Sequence, residues 1–456
     1  MRAESKTWHF GVLSFTGTGH LNPLIAVSQE LRLRGHRVTF FEKPKIEERV
    51  RQAGLGFVPI GAKTDPRHDA PVAVRPGIRS EIAMLRFNLK RVARDVEHYL
   101  EETPPAVSAA RIDALLINEV ALTGPSVAQM LGLPYFLIST SVPHQFGWQG
   151  TSWLTGHRYI SSPVAWLQSA LLEVSALRVR GPIRRTLDEY RKRKGLGPMR
   201  ELPNTHRCLA HITQLPECID LPHRSLRGNF YYTGPWVSNA ARPRIDFPWE
   251  KLDGRAVIYV TFGTTRNALT PILRMIAEAC QDLDAQLVMT LGNRFEPQRF
   301  ADLPGHPVIV KFAPQLDLLK MANLAITHAG SNSTLEALAE GKPMVVIPLA
   351  YDQPAIAKRL SRLGVAEVLP VMRLSPARIR KAVTKVLDDS RYRDAARTVQ
   401  SKIASLRGTK RAADIIAVEM EAYAVQQRLE RRAGWHATDS DDLTATPIEA
   451  VSQFQR

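Results

Sequence analysis

The chain has 456 residues, too many for one hydrophobic core, so two domains are expected. Apolar residues make up 44% of it, an ordinary globular composition, and no run of 18 or more apolar residues exists to form a membrane-spanning helix. The formal charge of +17 points either to solubility or to an anionic surface; no nucleic-acid motif or aromatic–basic platform accompanies it, so nucleic acid is not an expected partner.

In chain order, residues 9–15 read as an apolar strand, followed by the tight turn Thr16-Gly17-Thr18-Gly19-His20. Asn22-Pro23 opens a helix to about Arg34, with proline near its start, and residues 37–41 form the next strand. A helix at 45–53, a strand at 57–60, a loop at 63–79 and a long helix at 80–102 continue the alternation. Strands at 112–117 and 135–139 flank a helix at 123–131. Such alternation implies a doubly wound parallel sheet. Residues 141–200 are less regular and carry Phe146, Trp148, Trp153 and Trp166, then a basic run from Arg178 to Lys194. Two readings stay open there: a helical hairpin with a solvated basic face, or an acceptor-pocket wall resting on lipid head groups. Strands at 213–215 and 230–233 close the first domain, residues 1–235; the proline-rich stretch 236–250 is the linker. The second domain, 251–410, opens with a strand at 256–261 and the small turn Gly263-Thr264-Thr265. A helix at 271–281 and a strand at 286–290 follow. A helix at 411–434 comes last, before a polar tail at 435–456 expected to be disordered. The three cysteines form no disulfide framework or metal spacing, and the N-terminus does not read as a signal peptide, so the cytoplasm is the expected compartment.

The densest chemistry lies in residues 310–353. A short strand at 323–327 runs into His328-Ala329-Gly330-Ser331-Asn332-Ser333, then a helix at 334–340 stopped by Gly341, then a strand at 344–347. A strand, a glycine-containing turn and a helix start present unpaired N–H groups and a positive dipole end, which suit a phosphate. Asn332 and Ser333 can donate to phosphate oxygens, and Glu336, four and three residues on, shares their helix face and suits ribose hydroxyls. Asp352 and Gln353 end the next loop and can divide sugar hydroxyls between them.

The box FAPQ…HAGSNSTLE…DQ resembles the donor-binding signature of inverting nucleotide-diphospho-sugar glycosyltransferases, the UDP-glycosyltransferase superfamily. Its zeaxanthin and macrolide glucosyltransferase-like members are the nearest in character. The resemblance runs from about Trp8 to Gly408. It implies the GT-B fold: two Rossmann-like doubly wound α/β domains facing a cleft, with the last helix crossing back onto the first domain. It also implies Phe312 and Gln315 at the nucleobase; His328, Gly330, Asn332 and Ser333 at the diphosphate; Glu336 at the ribose; and Asp352 and Gln353 at the sugar. Gly19 and Thr264 are further expected donor positions, and Phe146, Trp148 and Trp153 are the expected acceptor contacts if that segment is the pocket wall.

His20 ends the first strand–turn, where open α/β sheets place ligands, and matches the family's opening GxGHxxP; it is the expected general base. The reaction that the resemblance implies is transfer of a hexose from a UDP-sugar co-substrate to a hydroxyl of an apolar acceptor, with no cofactor or metal expected. Asp282-Leu283-Asp284 spells a metal-binding pattern but reads as a surface turn at the wrong end of a strand. The family places an aspartate behind the base; here that position is Asn118, which can orient His20 but cannot neutralise an imidazolium. Either Asn118 suffices, the neighbouring Glu119 swings in, or activity is low. Rival readings are a nucleotide-sugar epimerase of the same fold and a non-catalytic transferase partner.

Overall fold

The computed structural model describes residues 6–61, 95–143, 181, 183–197, 207–221, 229–238, 242, 244–263, 270–292 and 295–432. Phe146, Trp148, Trp153, Trp166, Thr264, the loop at 63–79, the tail at 435–456 and the first arginines of the basic run lie outside the described residues.

Among the described residues there are two wholly parallel sheets. The first has the order β3-β2-β1-β4-β5-β6-β7. Its strands are β1 His9–Leu13, β2 Arg37–Glu42, β3 Gly56–Pro59, β4 Ala114–Asn118, β5 Tyr135–Ser139, β6 Cys208–Thr213 and β7 Phe230–Tyr232. The second has the order β10-β9-β8-β11-β12-β13. Here β8 is Ala256–Thr261, β9 Ala285–Thr290, β10 Val308–Val310, β11 Ala322–Thr327, β12 Met344–Val346 and β13 Ala366–Val368. In each sheet the chain starts in the middle, works outward, then returns to the other side. The order therefore reverses between β1 and β4, and between β8 and β11. Ligands of open α/β sheets bind at the carboxyl ends of strands at such a reversal.

Strand periodicity builds the second core. Val257 and Tyr259 of β8 face one hydrophobic layer with Leu335, Leu338 and Ile356; Ile258 and Val260 face the other with Ile276 and Val383. Both faces are covered, so β8 and β11 read as nearly continuous apolar runs.

Three helices differ from the sequence reading. The first starts at Thr18, not Asn22, with Gly17 as its N-cap, so the GTGH turn is itself the first helical turn. The helix of the donor box is Ser331–Ala339, three residues longer at its start than expected. Residues 95–109 stay helical past Glu102, through Pro104 and Pro105. Pro104 cannot donate to the Leu100 carbonyl; the Tyr190 hydroxyl donates to it instead, at 2.9 Å.

The basic run is not uniformly a solvated face. Arg191 is buried, donating to Gly197 O (2.6 Å), Ser126 Oγ (3.0 Å) and Gln129 Oε1 (2.7 Å). It ties a helix to its neighbour rather than charging the surface.

The two halves meet through a buried ion pair. Arg359 donates from Nε (2.9 Å) and Nη2 (2.6 Å) to Asp220 Oδ1, while Tyr232 OH donates to Asp220 Oδ2 at 2.6 Å. Burial and the adjacent carboxylate push the Tyr232 hydroxyl far up, so it remains a donor. By contact density the chain divides into Met1–Ala413, which holds both sheets, and Asp414–Arg456, whose described residues, 414–432, continue the helix Gly408–Arg432.

Candidate active site

β1 leads into the helix Thr18–Leu33, and His20 sits in its first turn. Pro23 has no N–H and leaves the Gly19 carbonyl without its helical donor. Asn332 Nδ2, at the start of the helix Ser331–Ala339 in the other half, donates to that carbonyl at 2.7 Å. Gln214, one residue beyond β6, donates to Asn332 Oδ1 at 2.8 Å and to Thr140 O at 2.6 Å. The phosphate-type helix start and the histidine turn are thus held against each other. Asn332 was expected on the diphosphate; here both ends of its amide join the two halves.

His20 is partly buried, and its Nδ1 lies 2.7 Å from Thr140 Oγ1. Asn118 ends β4 and does not orient the ring directly: its Nδ2 donates to the same Thr140 oxygen at 3.2 Å. Its Oδ1 accepts from Val120 N–H at 3.1 Å. Glu119 turns to the opposite face, as strand alternation requires, and accepts from Ser139 Oγ, 3.9 Å from His211 Nε2. It does not approach His20 through these contacts.

On the donor side, Gly330 caps the helix Ser331–Ala339, which has no side-chain cap and no acidic residue in its first turn. The first helical bond, Thr334 N–H to Gly330 O, is 2.9 Å, so the N–H groups before it have no intrahelical acceptor. Ser331, Asn332 and Ser333 are all partly exposed. His328, 8% exposed, lies over two glycines. A Cβ on Gly330 would sit 2.6 Å from its Nε2, and one on Gly263 would sit 3.3 Å from its Cε1. Ala329 between them holds φ 62°, a strained value for alanine, as does Tyr351 (φ 56°) before Asp352.

Glu336 is buried on this helix. Arg242, from the linker, donates Nη2 to its Oε1 at 2.5 Å, and Gln315 donates Nε2 to its Oε2 at 2.5 Å. Gln315 Oε1 accepts from Tyr259 OH at 3.2 Å. Gln315, expected at the nucleobase, is therefore committed to the expected ribose carboxylate. Phe312 is 37% exposed and offers an open aromatic face. Burial and the nearby Arg242 both depress the Arg49 guanidinium, which donates to Asn22 Oδ1 in the first helix. Asp352 Oδ2 accepts from Ser331 Oγ at 3.2 Å. The Gln353 carbonyl oxygen accepts from Leu349 N (2.8 Å) and Ala350 N (2.9 Å), shaping the loop. Asp282 lies before β9, at its amino end, and pairs with Arg380 at 3.2 Å.

Sequence reasoning missed Thr140, Gln214 and Arg242. None belongs to a motif; each reaches the site from more than ninety residues away from the partner it serves, as with Arg242 and Glu336 (94 residues apart) and Gln214 and Asn332 (118).

Two doubly wound domains, with a histidine at one switch point and a phosphate-type helix start at the other, define a GT-B sugar transferase. Residues 201–407 match the family described as "UDP-glucoronosyl and UDP-glucosyl transferase", and residues 12–142 match "Glycosyltransferase family 28 N-terminal domain". The zeaxanthin glucosyltransferase of Pantoea ananas is 27% identical over 433 residues, covering 90% of this chain and 95% of that protein. The oleandomycin glycosyltransferase of Streptomyces antibioticus is 26% identical, covering 92% and 93%. The crystal structure of the kitacinnamycin glycotransferase superposes with a TM-score of 0.72 at 23% identity, covering 91% of this chain and all of that one. Together these matches support a member of the UDP-glycosyltransferase superfamily, and they indicate a glycosyltransferase enzyme that uses a nucleotide sugar. Among the described residues no helix is long and apolar enough to cross a membrane.

Proposed function

We propose that the protein moves a hexose, glucose first among candidates, from UDP to a hydroxyl of an apolar terpenoid, carotenoid or polyketide, inverting the anomeric centre and using no metal. The observation that carries this is the Asn332–Gly19 bond, which sets the donor helix start against the residue before His20. His20 Nδ1 is engaged by Thr140, so Nε2 is the nitrogen that takes the acceptor proton. The acceptor oxygen attacks the anomeric carbon as that proton leaves, and the bond to the diphosphate breaks. The departing charge meets the helix start at Gly330–Ser333 and His328. Preorganised donors of this kind supply the stabilisation a metal gives elsewhere, and Asp282 faces away from them. Glu336 holds the ribose, and Asp352 and Gln353 the sugar. Functionally, residues 1–235 are the acceptor domain, 236–250 the linker and 251–410 the donor domain.

The acceptor class is supported by two relatives whose names refer to zeaxanthin and oleandomycin. Peripheral contact with anionic lipid is supported by the +17 charge alone. The test incubates the protein with UDP- and dTDP-sugars, chelator, and carotenoid, macrolide and charged soluble acceptors, then analyses products by mass and anomeric configuration. Transfer to charged acceptors only, retained configuration, or loss of activity on chelation restored by magnesium would each remove the corresponding part. Salt-independent behaviour with anionic vesicles would remove the lipid contact.

A further inference from the structure

We infer that the Thr140 hydroxyl is a positioning group that sets the tautomer of His20, and that the residue at position 118 acts on the base only through it. The inference rests on His20 being the base. Thr140 is buried at the carboxyl end of β5, with His20 Nδ1 at 2.7 Å and Asn118 Nδ2 at 3.2 Å from one oxygen. The direction of the chain follows from a fixed donor. Val120 N–H can only donate, so the Asn118 atom facing it at 3.1 Å is the carbonyl oxygen. The amide NH₂ therefore faces Thr140 and donates to it.

A hydroxyl has one proton. Its oxygen has two lone pairs, so with Asn118 donating into one, the other accepts from His20 Nδ1–H. That holds the imidazole proton on Nδ1 and leaves Nε2 to accept from the substrate. An aspartate at 118 would instead accept the Thr140 proton, keep the same tautomer and add the negative charge that Asn118 lacks. Position 118 thus acts on the base through Thr140, which holds the tautomer in either case.

The test is a double-mutant cycle with Asn118→Asp and Thr140→Val, plus Thr140→Ser, reading kcat, donor Kd and the His20 ring ¹⁵N shifts. Thr140→Val should lower kcat by about tenfold or more with donor Kd within about twofold, and Thr140→Ser should restore it. Asn118→Asp should raise kcat with the ring kept in the Nδ1–H form, and should not raise it in the Thr140→Val background, where the ring should lose its fixed Nδ1–H form. An equal effect of Asn118→Asp in both backgrounds, or an unchanged kcat in Thr140→Val, would overturn the inference. His20→Ala is the control: full turnover in it would remove the base assignment itself, whereas an inactive His20→Ala beside an unaffected Thr140→Val removes only the role of Thr140.

Discussion

Removing Arg242 should tighten donor binding. Glu336 has a side chain only 4% exposed, and both its oxygens are occupied, by Arg242 and Gln315 at 2.5 Å each. A ribose hydroxyl can reach Oε1 only by displacing the guanidinium. A hydrogen bond to a charged group contributes about 1.5–3 kcal/mol, and a neutral hydroxyl replaces only part of it. Donor binding therefore bears a cost on the order of 1–2 kcal/mol for the exchange. In Arg242→Ala that competitor is gone, and the buried carboxylate is short of one partner that the ribose then supplies. The expected result is a UDP-glucose Kd lower by about tenfold, measured by calorimetry without acceptor. Glu336→Ala should weaken the donor in both backgrounds and leave acceptor KM nearly unchanged. A Kd raised tenfold in Arg242→Ala would refute the reasoning and make Arg242 a donor ligand rather than an occupant of its place.

Other consequences concern the scaffold. Asp220→Ala leaves the Arg359 guanidinium buried with only the Ala355 carbonyl (3.0 Å) among its described partners, and should destabilise by about 3–5 kcal/mol in urea unfolding; a loss under about 1 kcal/mol would show the pair to be dispensable. Gly330→Ala is allowed by its backbone (φ −68°) but forbidden by His328, so donor KM should rise and stability should fall by about 1–3 kcal/mol. Unchanged donor kinetics in that variant would mean that His328 moves without consequence. Burial, with Arg37 adding to it, lowers the His9 imidazole below the ordinary 6.5. The unfolded chain then binds more protons than the folded one, so this contribution is present above pH 6.5 and is lost as pH falls toward the depressed folded value. The urea midpoint should drop on acidification through that window, and His9→Gln should flatten the drop.

The strand–turn–helix–strand order of residues 322–346 was legible in the amino-acid sequence because its parts are contiguous. Strand, glycine turn, helix start and following loop lie within about one supersecondary unit, where alternation, capping and helix spacing act over a few residues. For the same reason β8 (Ala256–Thr261) and β5 (Tyr135–Ser139) were readable to the residue. Helix starts were less so: Gly17 and Gly330 cap without a side chain, and a polar turn reads the same whether or not it is already helical. Pro23 marks a carbonyl that the helix cannot satisfy, but nothing near it in sequence says that Asn332 takes it.

What only the tertiary structure decided was the set of partners across the two halves. Thr140 ends a strand like many threonines, and it meets His20, 120 residues away, because β5 lies next to β4 and β4 next to β1. Arg242 belongs to a proline-rich linker whose local pattern implies only a turn, yet it occupies Glu336. Local rules work through sterics and hydrogen bonds between near neighbours in the chain. The docking of one sheet on another sums many weak contacts spread over hundreds of residues, so the groups it brings together carry no local signature.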